Sequence, residues 1–252
     1  MKVFFVGSGP GDPELMTVKA KRLLESCSVC IYAGSLVSPE VVSLIPADAE
    51  NHDSAELSLD QIIAICKDAQ SRDLDVVRLH SGDPSIYGAI GEQMDLLDPL
   101  GIGYEVVPGV SSFQAAAAAL KTELTAPEVS QTIILTRTSG RTPLPEEQEL
   151  SKLAATRATL CIFLSIHKIR EVADSLGFYY GADCPAAVVH RASWPDQKVF
   201  EGTLSDIAGK IESAGITSTA MIIVGRALAR GHSASKLYDS AFTHGFRKAT
   251  EE

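Results

Sequence analysis

The rhythm of the first 110 residues constrains this chain more than any other feature. Short, nearly unbroken apolar runs recur in KVFFVG (2–7), SVCIYA (28–33), DVVRLH (75–80) and YEVVPG (104–109). A strand with one face in water alternates apolar and polar residues, whereas near-continuous apolar strands belong to a parallel sheet covered on both faces. The segments between them read as the covering helices. PELMTVKAKRLLESC (13–27) sets apolar positions 15, 16, 18, 23 and 24 against basic ones, and SLDQIIAICKDAQS (58–71) puts Ile62, Ile63 and Cys66 on one face. SPEVVSLI (38–45) opens with serine followed by proline, a favoured helix start.

After PGVSSFQAAAAALK (108–121) the texture changes. The alanine run favours a closely packed helix, and the polar, proline-containing TELTAPEVSQ (122–131) suits a linker. Strand-like runs then resume at QTIILTR (131–137), TLCIFLS (159–165), PAAVVH (185–190), KVFEG (198–202) and TAMIIVGRA (219–227). SIHKIREVADSL (165–176) and LSDIAGKIESAG (204–215) read as helices. The fold expected is α/β, with an N-terminal α/β domain over residues 1–113, a C-terminal one over 114–252, and a ligand cleft between them.

Three glycine-bearing loops follow N-terminal strands: GSGPGDP (7–13), HSGDP (80–84) and PGVSS (108–112). Ligands of open parallel sheets bind where strands deliver their carboxyl ends, so these loops should converge. The first loop fails both phosphate templates. Asp12 stands where a dinucleotide fingerprint has its third glycine, and no lysine follows the loop's glycines until Lys19, which excludes a P-loop. Pro10 removes a backbone donor and Asp12 would repel phosphate, which favours a ligand without phosphate, even a cationic one. Asp12 has the alternative role of capping the segment that follows. Asp83 can accept hydrogen bonds from a ligand or simply form an Asp-Pro turn.

The net charge of −10 and pI near 5.1 argue against a nucleic-acid partner. No apolar run approaches the roughly 20 residues of a membrane span. The apolar run in MKVFFVG is too short for a signal-peptide core, so a cytoplasmic protein is expected. The five cysteines are odd in number and scattered, and Cys27-x-x-Cys30 lies at a helix end rather than a helix start, which suits buried thiols better than a redox or zinc site. The six histidines show no ligand spacing, no metal is expected, and no residue declares itself catalytic.

In combination, G-x-G-P-G-D-P, S-G-D-P-x-I-Y-G and V-P-G-V-S-S resemble the tetrapyrrole methyltransferase family, and the resemblance covers essentially the whole chain. Within it, YAGSLVSPE (32–40), LSIHKI (164–169) and SKLYDSAFTHGFRK (235–248) resemble the members that methylate C11 of precorrin-4 in cobalamin biosynthesis. The resemblance implies a donor, S-adenosylmethionine, leaving as S-adenosylhomocysteine, held between two α/β domains of a homodimeric enzyme. Carried over by motif, Pro10, Ser81, Gly82, Asp83, Ile86, Ser111 and Ser112 would line the donor in the first half. Leu164, Ala192 and Ala220 would do so later in the chain. Read without the resemblance, Ile86, Leu164 and Ala220 are core residues.

The implied acceptor, a tetrapyrrole, carries several carboxylates, so an acidic protein must place cations locally. Arg78, Arg137, Arg141, Lys168, Arg191 and Arg226 stand near expected strand ends or the loops after them, and Ser35 is a further candidate on the substrate side. The sulfonium already activates the methyl group, so the chemistry asks chiefly for alignment. Two rivals keep this fold: methylation of another tetrapyrrole such as uroporphyrinogen III, and methylation of an RNA or protein. A third is a non-catalytic binding module or a nucleotide enzyme.

Overall fold

In the computed structural model, which describes residues 1–140, 142–229, 231, 242–243 and 245–248, the four early apolar runs are strands of one sheet. They are β1 (Lys2–Gly7), β2 (Val29–Tyr32), β4 (Val76–His80) and β5 (Gly103–Val107), joined by a fifth, β3 (Glu50–Asp53). The order is β3-β2-β4-β1-β5 and every pairing is parallel, with Phe4 opposite both Val77 and Glu105. β3 has no counterpart among the apolar runs: ENHD is polar throughout, which an edge strand tolerates.

Helices cover both faces, as near-continuous apolar strands require. α1 (Val18–Glu25) and α2 (Pro39–Val42) bring Ala20, Leu24 and Val41 against Val6, Cys30 and Leu79. α3 (Leu59–Ser71) and α4 (Ile90–Leu97) bring Ile62, Ile63, Cys66 and Leu97 against Phe5, Ile31 and Val76 on the other side. Burying each such side chain contributes about 1.5–3 kcal/mol. Local chemistry sets the starts. Ser58 and Gln61 form a reciprocal capping box on α3, and Ser38 caps α2 with Pro39 in its first turn. The first helix begins later than its pattern suggests. Pro13–Leu15 is a separate 3₁₀ turn capped by the Asp12 carboxylate, and Thr17 caps α1 by accepting from Ala20 N–H at 3.2 Å.

α5 (Ser112–Leu120), the alanine helix, ends the first stretch. The later strands are β6 (Ile133–Arg137), β7 (Thr159–Phe163), β8 (Pro185–His190), β9 (Lys198–Thr203) and β10 (Ala220–Val224), ordered β6-β7-β10-β8-β9. This sheet is mixed: β6 and β7 are parallel, while β10 lies antiparallel to β7 with Ile222 opposite Ile162. α6 (Leu150–Ala154), α7 (Ile169–Tyr180) and α8 (Ile207–Ser213) pack on one face, where Leu176, Ile207 and Ile211 meet Leu160, Ile162, Val188 and Ile222.

Two units result: residues 1–119 with 189–198, and residues 120–188 with 199–252. Nothing in the sequence pattern signals the return of 189–198 to the first unit. The five cysteines are unbridged, and all but Cys27 are buried. Among the described residues no helix is long and apolar enough to cross a membrane.

Candidate functional site

Because β1, β4 and β5 are parallel, the loops that follow them leave the first sheet at the same edge, and there they are knitted together. Gly9 and Gly82 form an isolated antiparallel bridge, Gly82 N–H donating to Gly9 O at 2.8 Å and Gly9 N–H to Gly82 O at 3.3 Å. Ser8 N–H donates to His80 O at 2.8 Å. Glycine is obligatory at this seam. A Cβ on Gly7 would stand 2.6 Å from Gly82 O, and one on Gly109 would stand 2.1 Å from the same atom. Gly82 itself has φ +66, a conformation open to glycine at little cost.

Asp83 fastens the third loop to the second. Its Oδ2 accepts from Gly109 N–H at 2.9 Å and its Oδ1 from Ser85 N–H at 2.8 Å, with the Ser85 hydroxyl also donating to it. Burial pushes this carboxyl up, but the bonds from the Ser85 hydroxyl and the two backbone N–H groups outweigh it and hold it below the usual carboxylate range. The site therefore carries a fixed negative charge. Ser111 is buried with its N–H on Gln114 Oε1 at 2.9 Å, Ser112 opens α5, and Ile86 is half-buried with its N–H on Asp83 O at 3.2 Å. Pro10, Ser81, Gly82, Asp83, Ile86, Ser111 and Ser112 thus share one edge of one sheet.

The first loop is held from two further sides within the same unit. The buried Ser38 hydroxyl donates to Gly11 O. Trp194 Nε1 donates to Pro10 O at 2.9 Å, and Ser193 Oγ accepts from Asp12 N–H at 3.0 Å. Ala192, buried, sits next to these two residues. The exposed Ser35 belongs to a turn whose Gly34 N–H donates to Asp53 Oδ1 at 2.9 Å.

In the second unit, the antiparallel register sets the start of β10 beside the end of β7, so Ala220 and Leu164 lie at one edge of that sheet. Leu164 is 61% exposed with φ +54, an apolar residue held in the left-handed region just past a strand, where the sequence alone reads it as core. Ala220 is half-buried and packs on the core.

The cation candidates divide. Arg78 is not at a strand end. It lies within β4, 8% exposed, donating from Nε to Gln93 Oε1 at 3.2 Å and from Nη1 to Ile31 O at 3.3 Å, and burial among these neutral acceptors pulls its pKa down. Arg137 folds over its own loop, with Nη1 on Thr142 O at 3.0 Å and Nη2 on Pro143 O at 3.1 Å. Lys168 pairs with Glu171 at 3.3 Å, Arg226 with Asp183 at 3.3 Å, and Arg191 with Asp196. Arg141 lies outside the described residues, as does most of the SKLYDSAFTHGFRK tail. Sequence reasoning misses Ser38, Ser193 and Trp194. The one signal available is that Trp194 is the single tryptophan of the chain and sits in a polar segment.

Fold and loops define an α/β protein whose glycine loops are fastened together by main-chain bonds at one edge of a parallel sheet. Within that class the chain belongs to the tetrapyrrole (corrin/porphyrin) methylases, whose family pattern residues 2–208 match. It is 50% identical over 248 residues to the Precorrin-4 C(11)-methyltransferase of Pseudomonas aeruginosa, covering 98% of this chain and 99% of that one. The X-ray structure of cobalt precorrin-4 methyltransferase, a cobalamin biosynthetic enzyme, is similar with a TM-score of 0.88 and 42% identity, over 90% of this chain and 96% of that one. Uroporphyrin-III C-methyl transferase from Thermus thermophilus, complexed with S-adenyl homocysteine, is similar with a TM-score of 0.75 and 28% identity, over 90% and 93% of the two chains.

Proposed function

We propose that this chain transfers the methyl group of S-adenosylmethionine to C11 of precorrin-4, or of its cobalt form, in cobalamin biosynthesis, releasing S-adenosylhomocysteine. The observation that carries this reading is the 50% identity, over 98% of the chain, to a precorrin-4 C(11)-methyltransferase. The similarity to the cobalt precorrin-4 methyltransferase, at 42% identity, supports the cobalt form as the other candidate substrate. The donor assignment is supported by the relative that holds S-adenyl homocysteine and by the chemistry of the loops.

The residues present fit such a donor. A wall of Gly7, Gly9, Gly82 and Gly109 leaves no room for a Cβ at Gly7 or Gly109 and turns Gly9 and Gly82 into the left-handed region, so main chain rather than side chain borders whatever lies there. Asp83 is held ionised beside it, which favours a cation and disfavours phosphate. The donor supplies a sulfonium-activated methyl group. The chain's own part is to bind, orient and exclude water, and fixing two reactants in line can be worth on the order of 7–11 kcal/mol in favourable cases. Pro10, Ser81, Gly82, Ile86, Ser111 and Ser112 bind the donor, and Asp83 acts by pinning Gly109 and by its charge. Leu164, Ala192 and Ala220 add apolar contacts. Ser35 and the cations Arg137, Arg141, Lys168, Arg191 and Arg226 are the candidates for the acceptor and its carboxylates. Arg78, bonded inside the first unit, serves only after rearrangement. The enzyme works as a homodimer in the cytoplasm. Sedimentation at twice the 26.8 kDa chain mass is expected, and a monomer would remove that part of the reading.

The deciding experiment presents the purified chain with labelled S-adenosylmethionine and, separately, precorrin-4, its cobalt form and uroporphyrinogen III. One methyl group added at C11, located by NMR, is expected with a precorrin-4 substrate. Methylation of uroporphyrinogen III alone would overturn the assignment.

A further inference from the structure

We infer that Trp194 is a positioning residue for the methyl-donor loop: its indole sets the path of residues 10–12 and thereby the affinity for the donor. The inference deepens the proposed function and rests on its reading that this loop borders the donor.

Four observations in the first unit carry it. Trp194 Nε1 donates to Pro10 O at 2.9 Å, so the indole fixes a carbonyl of the loop directly. The same ring occupies the space above Gly11, where a Cβ would stand 2.1 Å from Trp194 Cδ1. One residue earlier, Ser193 Oγ accepts from Asp12 N–H at 3.0 Å, so carbonyl and amide on either side of Gly11 are both held. The segment that supplies these groups is itself kept in an unfavourable shape. Arg191 and Ser193 both lie in the left-handed region, at φ 48 and φ 69, although neither is glycine. The Arg191 guanidinium stacks 5.2 Å from the Trp194 ring centroid while paired with Asp196, and Ser193 N–H donates to Gln197 Oε1 at 2.7 Å. Strain maintained by three separate contacts, ending on one glycine loop, is costly for a segment that merely connects β8 to β9. Arg191, a candidate cation for the acceptor, also bears on this loop by stacking on Trp194.

The loop has few other means of holding its shape. Pro10 has no N–H to anchor, and Gly11 has no side chain, so the positions of Pro10 O and Asp12 N depend on external partners. Removing one such hydrogen bond leaves a loop atom unpartnered and widens the range of loop positions.

The test uses Trp194→Phe, which keeps a ring over Gly11 but deletes the Nε1 donor, and Ser193→Ala, which deletes the acceptor for Asp12 N–H while leaving the tryptophan in place. Titration calorimetry with S-adenosylhomocysteine should show affinity reduced roughly three- to tenfold for each variant, given the usual worth of one hydrogen bond. KM for the tetrapyrrole should stay unchanged, a split that general destabilisation would not produce. Amide hydrogen exchange without ligand should be faster at residues 9–12 in both variants. Wild-type affinity and exchange in both variants would overturn the inference. If the unaltered chain fails to bind S-adenosylhomocysteine, the donor reading falls instead. As the only tryptophan, Trp194 also reports on itself: its emission should change saturably with S-adenosylhomocysteine and not with ATP. An emission unchanged at saturating ligand would count against contact between the donor loop and this ring.

Discussion

The two sheets of this molecule solve different problems. The first is all-parallel and sends three loops to one edge, where glycine backbones touch with no side chain between them. The second is mixed, with a large apolar cluster under α6, α7 and α8, and its Lys168 and Arg226 are tied in exposed or half-exposed ion pairs. Their buried polar groups differ in kind as well. Among the described residues the first unit buries Arg78, His80 and Gln93 as well as the hydroxyls of Ser8, Ser38 and Ser111, whereas those buried in the second are hydroxyls alone: Ser130, Thr136, Thr159 and Ser165. The contrast teaches that precision here comes from main chain, and that the sheet supplying it also carries the costly buried groups. The other sheet is an ordinary core.

Three measurements would break or sharpen that contrast. The largest effect is expected from Gly109→Ala, whose Cβ would lie 2.1 Å from a backbone oxygen that cannot turn aside. S-adenosylhomocysteine binding should fall at least about a hundredfold in calorimetry, since the seam must open by more than a bond-angle adjustment allows. Binding close to wild type would show that the seam is not the wall of the site.

Next comes acid sensitivity. Burial, with the Arg78 charge adding to it, pushes the His80 imidazole down to about 3. The unfolded chain takes up that proton near pH 6.5 and the folded one does not, so stability rises with pH across this window. Acidification from about pH 6.5 towards 3 should therefore cost up to about 1.4 kcal/mol per pH unit from this residue. His80→Gln should flatten that slope in urea unfolding series run at stepwise lower pH. An unaltered slope would assign the acid loss to other groups.

The smallest effect is the same chemical change placed in the second sheet's cover. Gly209 lies inside α8 with nothing within 4 Å of where a Cβ would stand, so Gly209→Ala should stabilise by about 0.5–1 kcal/mol, seen as a small rise in Tm. Destabilisation by this change would erase the difference between the two regions.

Much of this is legible in the sequence, and the reasons are local. Apolar runs ending in glycine announce β1, β4 and β5, and the loops after them follow directly from strand direction. The seam residues Gly7, Gly82 and Gly109 all fall inside motifs that the sequence itself makes conspicuous. β3 escapes because ENHD has no apolar pattern, and α1 starts later than its pattern because Pro13–Leu15 has helical composition but closes as a separate 3₁₀ turn. The insertion of β10 between β7 and β8 is a long-range choice that no window of sequence contains. Arg78 reads as an exposed cation because charge is expected at surfaces, and only the packing of Gln93 and Ile31 around it shows that it is buried. Trp194 is passed over because its partner Pro10 lies at a sequence separation of 184.

The late return of residues 189–198 has a consequence for how the protein is made. Translation delivers the first five strands long before Ser193 and Trp194, so the nascent first unit emerges from the ribosome with Pro10 O and Asp12 N–H still turned to water. A chain cut after α5 would carry every strand of the first sheet and still lack these two bonds. Gene fusions or split versions of this protein should keep residues 1 to 198 on one polypeptide.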